Sequence, residues 1–432
     1  MDYSSTLTYL YEQLPMFQRV GSVAFKKDLT NTLALCAAVG NPQHQLRCLH
    51  IAGTNGKGTV THSLSAILHT HGYKVGLYTS PHYKDFRERI KIDGQYISEQ
   101  AVIDFVERIR PFSEAIQPSF FELTVVMALD YFVQQQVDVA VIEVGLGGRL
   151  DSTNVVSPEM CVITNLRYDH TQMLGDTLAA IAFEKAGIIK PDIPVVIGET
   201  HNETASVFRQ IAQERHAPIV FADACLESRH FCSSLHGSRL DVYDRAGKLC
   251  LPDLQTDLAG SYQEKNIITV LASVLQLRQL GWALQDDLVR RALSQVCSSM
   301  NMVGRWQVLR DAEPMVVADS AHNEGGLRYA MQQLLDEAKD GQLHLVIGTV
   351  NDKDVRKMLS FMPRKATYYF CKADIPRGLA ADELQRIGAA LGLTGESYSS
   401  VQNAYHAALR AAKPNDVVYI GGSIFVVAEV LD

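Results

Sequence analysis

The chain has 432 residues and a net charge of -8, and 47% of its residues are hydrophobic while 20% are charged. This composition is typical of a globular protein and excludes a disordered chain. The length exceeds what one hydrophobic core usually supports, so we expect two domains. No long basic run is present, which argues against a nucleic acid as partner.

The chain begins Met1-Asp2-Tyr3-Ser4-Ser5, without a basic segment followed by an apolar core, and no apolar run approaches a membrane-spanning length. We therefore expect a cytoplasmic protein without membrane contact. The eight cysteines lack the close pairs that bind zinc, so buried free thiols are expected. Cys225 and Cys232 lie near enough in sequence for a bridge, but a reducing compartment argues against one.

The first element in chain order carries a glycine-rich turn. Cys48 to Ile51 are typical of the end of a buried strand, and Val60 to His71 of an amphipathic helix. Between them lies Gly53-Thr54-Asn55-Gly56-Lys57-Gly58-Thr59. Backbone N–H groups at a helix N-terminus and one lysine suit the phosphates of a nucleotide, and a hydroxyl at position 59 suits Mg²⁺.

This loop departs from the usual phosphate-binding pattern, because Ile51 replaces its first glycine and Gly58 separates Lys57 from Thr59. A glycine turn that only caps a helix stays open as the alternative.

Strands and helices then alternate, which predicts an α/β fold with a parallel sheet. The strands are predicted at 74–79, 138–144, 160–165 and 194–198, with helices at 122–136 and 177–190. Short strands predicted between 217 and 258, including 240–243 and 248–251, are expected to end the sheet of the first domain. Helices follow at 263–280 and 285–296.

The alternation restarts after residue 297, so the predicted domains are 1–297 and 298–432. In the second domain, strands are predicted at 315–319, 344–349, 366–371 and 416–421, with helices at 327–337 and 381–391. Two such domains usually bind ligands at the carboxyl ends of their strands.

Polar side chains follow several of these strands. Glu143 ends one strand and is a candidate Mg²⁺ ligand, although a carboxylate that caps the next glycine turn is an equal alternative. His170 follows the next strand and is a second candidate, against the ordinary role of a surface or core histidine. The ordinary interpretation of Lys185, near a helix end, is an interaction with the helix dipole. Arg305 is a candidate ligand for phosphate oxygens, against the strong alternative of an ion pair at the domain junction.

Taken together, the motifs resemble those of bacterial folylpolyglutamate synthase/dihydrofolate synthase, a family of ATP-dependent amide ligases in the Mur ligase superfamily. The motifs are Gly53 to Thr59, Thr79-Ser80-Pro81-His82, Phe120 to Thr124, Glu143 to Asp151, Asp169-His170-Thr171, Glu184 to Gly187 and Asp319 to Asn323. The resemblance runs from about residue 20 to the end, while Ser320 and Glu324 replace the Gly and Pro of the usual turn. It implies an N-terminal P-loop ATPase-like domain of the Mur ligase central type and a smaller Rossmann-like α/β domain.

The resemblance also implies site residues. The ATP-binding residues would be Asn55, Gly56, Lys57, Gly58, Thr59, Asn266, Arg305 and Asp319. The Mg²⁺ ligands would be Ser80, Glu143 and His170. The folate or pterin site would contain Phe121, Glu122, Leu123, Thr124, Leu150, Asp151 and Ser152, with His322 and Ser423 at the incoming glutamate. Lys57, Lys185 and His322 are the implied catalytic residues, and Lys185 matches a lysine that is carbamylated in the family.

The implied reaction transfers the γ-phosphoryl group of ATP to a substrate carboxylate, after which the amine of L-glutamate displaces phosphate. The expected substrates are dihydropteroate and tetrahydrofolate polyglutamates, and a monomer is expected. A folylpolyglutamate synthase with one activity is the alternative, and an inactive nucleotide-binding regulator is a weaker one. A Mur ligase of cell-wall synthesis is disfavoured, because only about fifty residues precede Lys57 and such enzymes carry a UDP-sugar domain there.

Overall fold

A computed structural model describes residues 1–16, 28–339, 341–351 and 354–431, which form two compact units. The first unit comprises Met1–Phe231, Arg239–Thr256 and Gln263–Asn301. The second comprises Cys232–Ser238, Asp257–Tyr262 and Met302–Asp432. The sequence analysis predicted a domain boundary between residues 297 and 298. It did not predict that two short segments before residue 263 belong to the second unit.

An eight-stranded sheet forms the centre of the first unit. Its strands are β1 (Cys48–Ala52), β2 (Val75–Tyr78), β3 (Ile90–Ile92), β4 (Gln95–Tyr96), β5 (Val139–Glu143), β6 (Met160–Ile163), β7 (Val195–Ile197) and β8 (Ile219–Phe221). The spatial order is β4-β3-β2-β5-β1-β6-β7-β8, and all pairs are parallel except β2 with β3 and β3 with β4. Strands β1, β2, β5, β6 and β7 are buried throughout, as expected for a parallel sheet covered on both faces.

Helices cover this sheet. The longer α-helices of the first unit are Thr30–Ala38, Lys57–Thr70, Glu99–Ile116, Phe120–Gln134, Leu178–Ala186, Ala205–Glu214, Gln263–Gln279 and Asp286–Leu293. Side-chain caps define the starts of three of these helices, since Ser98, Ser119 and Thr177 each accept a hydrogen bond from a backbone N–H in the first turn. Shorter helices lie at Tyr3–Thr8, Thr171–Leu174, Ala222–Cys225 and Val296–Met300.

The predicted α/β architecture with a parallel sheet is confirmed, and each strand predicted at 74–79, 138–144, 160–165 and 194–198 is present with slightly closer bounds. The expectation for residues 217–258 is wrong in part. Only β8 joins the large sheet, while β9 (Leu226–Ser234), β10 (Gly237–Asp244) and β11 (Leu249–Thr256) form a separate three-stranded sheet. Their alternating burial identifies a sheet with one solvated face, which cannot extend a sheet buried on both faces.

A six-stranded sheet forms the centre of the second unit. Its strands are β12 (Gln307–Arg310), β13 (Met315–Asp319), β14 (Leu343–Ile347), β15 (Thr367–Phe370), β16 (Thr394–Ser397) and β17 (Val417–Gly421). The order is β12-β13-β17-β14-β15-β16, with β12 antiparallel and the other pairs parallel. Its α-helices are Glu324–Ala338, Val355–Leu359, Ala381–Ala390, Val401–Ala411 and Ile424–Ala428.

The predicted second α/β domain is therefore present, but sequence reasoning missed β16 and the helix Val401–Ala411. All eight cysteines are free. The expectation of buried thiols holds for Cys36, Cys48, Cys161 and Cys371, whereas Cys232 and Cys250 are exposed. In the part of the chain that the structure describes, no helix is both long enough and apolar enough to cross a bilayer.

Candidate active site

The glycine-rich loop connects the buried strand β1 to the N-terminus of a helix. Strand β1 ends at Ala52, and the 14-residue helix begins at Lys57 with Gly56 as its N-cap at φ 84°. The first helical turn therefore contains Lys57, Gly58 and Thr59, whose N–H groups have no partner within the helix. This is the geometry by which a helix N-terminus binds phosphate.

Two glycines of the loop are required by close contacts. A Cβ on Gly53 would lie 1.9 Å from the Oγ1 of Thr164, and a Cβ on Gly56 would lie 2.2 Å from the Oδ1 of Asn266. Both glycines also have positive φ, at 148° and 84°. Asn266, which only the resemblance indicated, thus packs directly against the loop.

The loop backbone is fixed by residues that follow β6. Asn165 accepts from the Thr54 N–H with its carbonyl at 2.8 Å and from the Asn55 N–H with its Oδ1 at 2.9 Å. The Thr164 hydroxyl donates to the Asn55 carbonyl at 2.6 Å. Sequence reasoning missed both residues, although their place at the carboxyl end of a parallel strand was the signal that could have identified them.

Two lysines converge on one carbonyl of the loop. The Lys57 Nζ donates to the carbonyls of Gly53 and Thr54, each at 3.2 Å. The Lys185 Nζ donates to the same Gly53 carbonyl at 2.7 Å. Because Lys185 is 4% exposed, its role is not limited to the dipole of its own helix. Burial, with the nearby charge of Lys57, lowers the pKa of Lys185 to about 7.

A carboxylate lies beside the same loop. Glu143 ends β5 and is buried, and its Oε2 accepts from the backbone N–H of Ser80 at 3.4 Å. The same oxygen lies 3.9 Å from the position that a Cβ on Gly58 would occupy. A carboxylate beside a loop of this geometry suits Mg²⁺, which binds one or two carboxylates together with substrate phosphates.

His170 precedes the short helix Thr171–Leu174 at φ 49°, and its ring Nε2 lies 3.8 Å from an Asp169 carboxylate oxygen. The structure thus pairs Ser80 with Glu143, and His170 with Asp169. Among the described residues no three His, Cys, Asp or Glu side chains gather as a ready-made metal site.

The segment Phe121 to Thr124 begins a helix. Ser119 and Glu122 form a capping box, in which the Glu122 carboxylate accepts from the Ser119 N–H at 2.6 Å. Leu123 and Thr124 are fully buried, so in this conformation they offer no surface to a ligand. Phe121 is half-buried, and its ring would lie 2.4 Å from a Cβ on Gly145. Phe121 is thus the member of this segment that meets the glycine turn after Glu143.

That turn ends at the predicted substrate residues 150 to 152. Leu150 is half-buried and Ser152 nearly buried. The buried Asp151 carboxylate accepts hydrogen bonds from the backbone N–H groups of Gly145, Leu146 and Thr153 and from the Thr153 hydroxyl. These donors occupy the carboxylate, so a direct hydrogen bond from a substrate would have to displace one of them.

In the second unit, the predicted residues cluster at the end of β13. The Asp319 carboxylate accepts from the Tyr262 hydroxyl and the Trp306 N–H, both at 2.7 Å, and from the Ala321 N–H at 2.8 Å. Burial, with the charge of Asp319, raises the pKa of Tyr262 well above its ordinary value. The Asp319 side chain is therefore oriented by three donors.

Next to Asp319, the Ser320 hydroxyl accepts from the Arg305 guanidinium and donates to the Gly304 carbonyl at 3.0 Å. The His322 ring Nδ1 hydrogen-bonds the Ser320 carbonyl at 3.0 Å. Ser423 caps the helix Ile424–Ala428, where its Oγ accepts from the Phe425 N–H at 3.2 Å. A serine at position 320 thus binds the predicted nucleotide ligand Arg305.

Comparison with known families identifies the class of protein. A model of the Mur ligase middle domain matches residues 51–274, and a model of the Mur ligase glutamate ligase domain matches residues 304–424. The chain belongs to the Mur ligase family. The two matched regions include the phosphate-binding loop and the Asp319 turn, so the family assignment and the geometry concern the same residues.

Similar proteins place the chain within one group of the Mur ligase family. The chain is 33% identical over 439 residues to a probable bifunctional folylpolyglutamate synthase/dihydropteroate synthase of Haloferax volcanii, covering 99% of this chain but only 50% of that protein. It is 33% identical over 384 residues to the dihydrofolate synthase/folylpolyglutamate synthase of Escherichia coli, covering 88% of this chain and 85% of that protein. The chain is thus a Mur ligase of the dihydrofolate synthase/folylpolyglutamate synthase group, an ATP-dependent ligase class of folate metabolism.

Solved structures of the same group have the same fold as this chain. The chain superposes on Escherichia coli FolC in complex with DHPP and ADP with a TM-score of 0.85 at 31% identity, over 100% of this chain and 97% of that chain. It superposes on a bifunctional folylpolyglutamate synthase/dihydrofolate synthase with Mn, AMPPNP and L-glutamate bound with a TM-score of 0.83 at 28% identity, again over 100% and 97%. The predicted Mur ligase fold is confirmed.

Proposed function

We propose that this Mur ligase joins L-glutamate both to dihydropteroate and to tetrahydrofolate or its polyglutamates, through an acyl phosphate. The observation that carries the proposal is the convergence of Lys57, Lys185 and Glu143 on one phosphate-binding loop. The relatives bearing both activities in their names, and the structures with DHPP, ADP, AMPPNP, Mn and L-glutamate bound, support it.

The proposed roles follow from charge and position. The N–H groups from Asn55 to Thr59 and the Lys57 ammonium bind the phosphates of ATP, with Asn266 against the loop and Arg305 and Asp319 as further nucleotide ligands. Phosphoryl transfer needs positioning and charge stabilisation rather than a protein nucleophile. The substrate carboxylate attacks the γ-phosphorus and ADP leaves, and then the glutamate amine displaces phosphate to form the amide.

The proposed metal ligands are Ser80, Glu143 and His170. The pairing of Ser80 with Glu143 beside Gly58 fits this proposal, because Mg²⁺ prefers a carboxylate plus phosphate oxygens. When bound, the ion neutralises phosphate charge during transfer. The chain's own contribution is to hold the Glu143 carboxylate at the loop, where burial excludes water.

Lys185 is proposed to be carbamylated. Its lowered pKa leaves much of the amine unprotonated near neutral pH, and only the neutral amine adds to CO₂. The addition of the neutral amine to CO₂ forms an N–C bond and releases one proton, so that a neutral group becomes an anion. Counted from the ammonium form, two protons are released and a cation becomes an anion. Nuclear magnetic resonance with isotopically labelled bicarbonate should show a carbamate signal that Lys185→Met lacks, and well-resolved density for an unmodified amine would reject the modification.

The folate or pterin site is proposed at Phe121, Glu122, Leu123, Thr124, Leu150, Asp151 and Ser152, with His322 and Ser423 at the glutamate. The half-buried Phe121 and Leu150 would supply the contact surface, and the buried Leu123, Thr124 and Asp151 would support it from behind. Within this set, Phe121 lies against the glycine turn, and its aromatic side chain is the group on which the planar pteridine ring would pack. A folylpolyglutamate synthase with only that activity is the second candidate. A monomer located in the cytoplasm is also proposed.

The deciding experiment measures ADP release with ATP, Mg²⁺ and L-glutamate, with dihydropteroate in one reaction and tetrahydrofolate in another. Turnover in both supports two activities, and turnover in one selects a single activity. Absence of turnover in both refutes the ligase proposal and favours a regulator that only binds nucleotide.

Lys57→Ala is the matched variant for this assay. We expect it to stay folded and to lose turnover by about a hundredfold or more, since an oriented cation at the transferred phosphoryl group contributes on that scale. A variant with an unchanged thermal melting curve and an unchanged rate would remove Lys57 from the mechanism.

A further inference from the structure

A buried histidine lies directly before the phosphate-binding loop, and neither the motifs nor the proposed mechanism use it. His50 is in β1 between β5 and β6, opposite Ile142 and Cys161, and its side chain is fully buried. Its ring Nε2 lies 2.8 Å from the Thr153 hydroxyl oxygen, across 103 residues of sequence. A buried polar side chain in a central strand needs such a partner.

The direction of this hydrogen bond is fixed by the next one. The Thr153 hydroxyl has one proton, and it donates that proton to the Asp151 carboxylate at 2.5 Å. The His50 Nε2 must therefore carry a proton and donate it to Thr153. The ring Nδ1 then has no partner among the described residues, and burial lowers the pKa of His50 to about 3, which keeps the ring neutral.

The Asp151 carboxylate receives the end of this chain of hydrogen bonds. It is nearly fully buried, and among the described residues the cation that acts on it is Lys185, beyond ion-pair distance. Burial raises the pKa of this carboxyl, and the hydrogen bonds that it accepts oppose that shift. Its negative charge is held instead by the Thr153 hydroxyl and by the N–H groups of Gly145, Leu146 and Thr153. Loss of the Thr153 hydroxyl would remove the donor that the His50 ring polarises through its own hydrogen bond.

Asp151 in turn fixes the turn that meets Phe121. Its Oδ2 accepts from the Leu146 N–H at 2.8 Å and lies 3.1 Å from the position of a Cβ on Gly145. The Phe121 ring lies 2.4 Å from that same position, so turn, ring and carboxylate are in mutual contact. A shift of the carboxylate would therefore displace the turn against Phe121.

We propose that His50 and Thr153 are positioning residues that orient the Asp151 carboxylate and, through it, the turn beneath Phe121 that receives the pteridine substrate. This inference rests on the proposed function for the identity of that substrate. Neither His50 nor Thr153 would contact the substrate or the nucleotide directly. The hydrogen bonds of this pair would support the acceptor site and not the phosphate-binding loop. Removing the relay should therefore weaken acceptor binding and leave nucleotide binding intact.

The test measures the dissociation constants of dihydropteroate and of ADP by calorimetry. Thr153→Val removes the hydroxyl and keeps the shape, and it should weaken dihydropteroate binding about tenfold while changing ADP binding less than about twofold, since a hydrogen bond to a buried charge is worth that much. Thr153→Ser restores the hydroxyl and should return the affinity for dihydropteroate. His50→Leu removes the donor to Thr153 and should weaken dihydropteroate binding about threefold, as expected for a neutral hydrogen bond one step further away.

Thr269→Val is the matched control, because Thr269 is buried and its hydroxyl donates to a helix carbonyl, that of Lys265, at 2.8 Å. It should lose stability and keep both affinities. Equal weakening of dihydropteroate and ADP binding, or wild-type affinity in Thr153→Val, would overturn the relay. If Thr153→Val does not fold, a folded His50→Leu with unchanged dihydropteroate affinity overturns it.

The same titrations separate this inference from the proposed function. A wild-type protein that binds dihydropteroate but shows no turnover refutes the ligase proposal, while the variants still decide the relay. A wild-type protein that binds ADP but no dihydropteroate refutes the relay as a device for acceptor binding.

Discussion

Replacing Lys185 with methionine tests how the protein accommodates a buried amine. The Lys185 Nζ is 2.7 Å from the Gly53 carbonyl and has Lys57 as a neighbouring charge. Methionine has a similar length and no charge, so it keeps most of the packing while it removes the ionisable group. The difference in unfolding free energy between the two proteins then reports the ionisation of Lys185.

The sign follows from proton binding. Burial lowers the pKa of Lys185 from 10.5 to about 7, so between these values the unfolded chain binds a proton that the native protein does not. Stability attributable to Lys185 is therefore complete above pH 10.5 and is lost as the pH falls to about 7. At about 1.36 kcal/mol for each pH unit, the full effect is about 5 kcal/mol, and between pH 7 and pH 9 it is about 3 kcal/mol.

The assay is urea unfolding of both proteins from pH 6 to pH 9 in buffers freed of CO₂. The stability of the wild type relative to Lys185→Met should be flat below about pH 7 and should rise above it. Lys248→Met, which removes a lysine at an exposed position, is the matched control. A flat difference across the whole range would show that Lys185 keeps its proton and would refute the reasoning. A parallel series in bicarbonate would detect stabilisation by carbamylation.

Two further substitutions test the loop and the second unit. Gly56→Ala should raise the KM for ATP at least tenfold, because the new Cβ would lie 2.2 Å from the Asn266 Oδ1 and the residue has φ 84°. Gly72→Ala is the control, with a similar φ of 89° but no atom within 4 Å of the new Cβ. It should cost only about 1 kcal/mol of stability. Equal KM values for the two variants in steady-state assays would contradict the steric argument. Ser320→Ala removes the buried hydroxyl that binds Arg305 and donates to the Gly304 carbonyl, so it should lower the melting temperature and raise the KM for ATP about threefold to tenfold. A folded variant with an unchanged KM would show that Arg305 is oriented by other groups.

The sequence by itself determined the α/β class and the glycine-rich loop that leads into a helix. Both are local features, because apolar runs such as residues 139–142 predict buried parallel strands, and the glycines around Lys57 predict a turn into a helix. The β-rich segment was recognised but assigned to the wrong sheet, because strand-like spacing does not say which edge a strand joins. The short strand Thr394–Ser397 was missed because its residues are mostly exposed and polar.

The tertiary structure alone decided which distant side chains meet. Lys185 reaches the Gly53 carbonyl across 132 residues, and His50 reaches Thr153 across 103. Parallel strands bring their carboxyl ends to one edge of the sheet whatever their separation in sequence, so that edge assembles the site. Neither the spacing nor the composition of the sequence predicts that Lys185, near a helix end, points into the protein. The burial of its amine depends on how all the neighbouring residues pack.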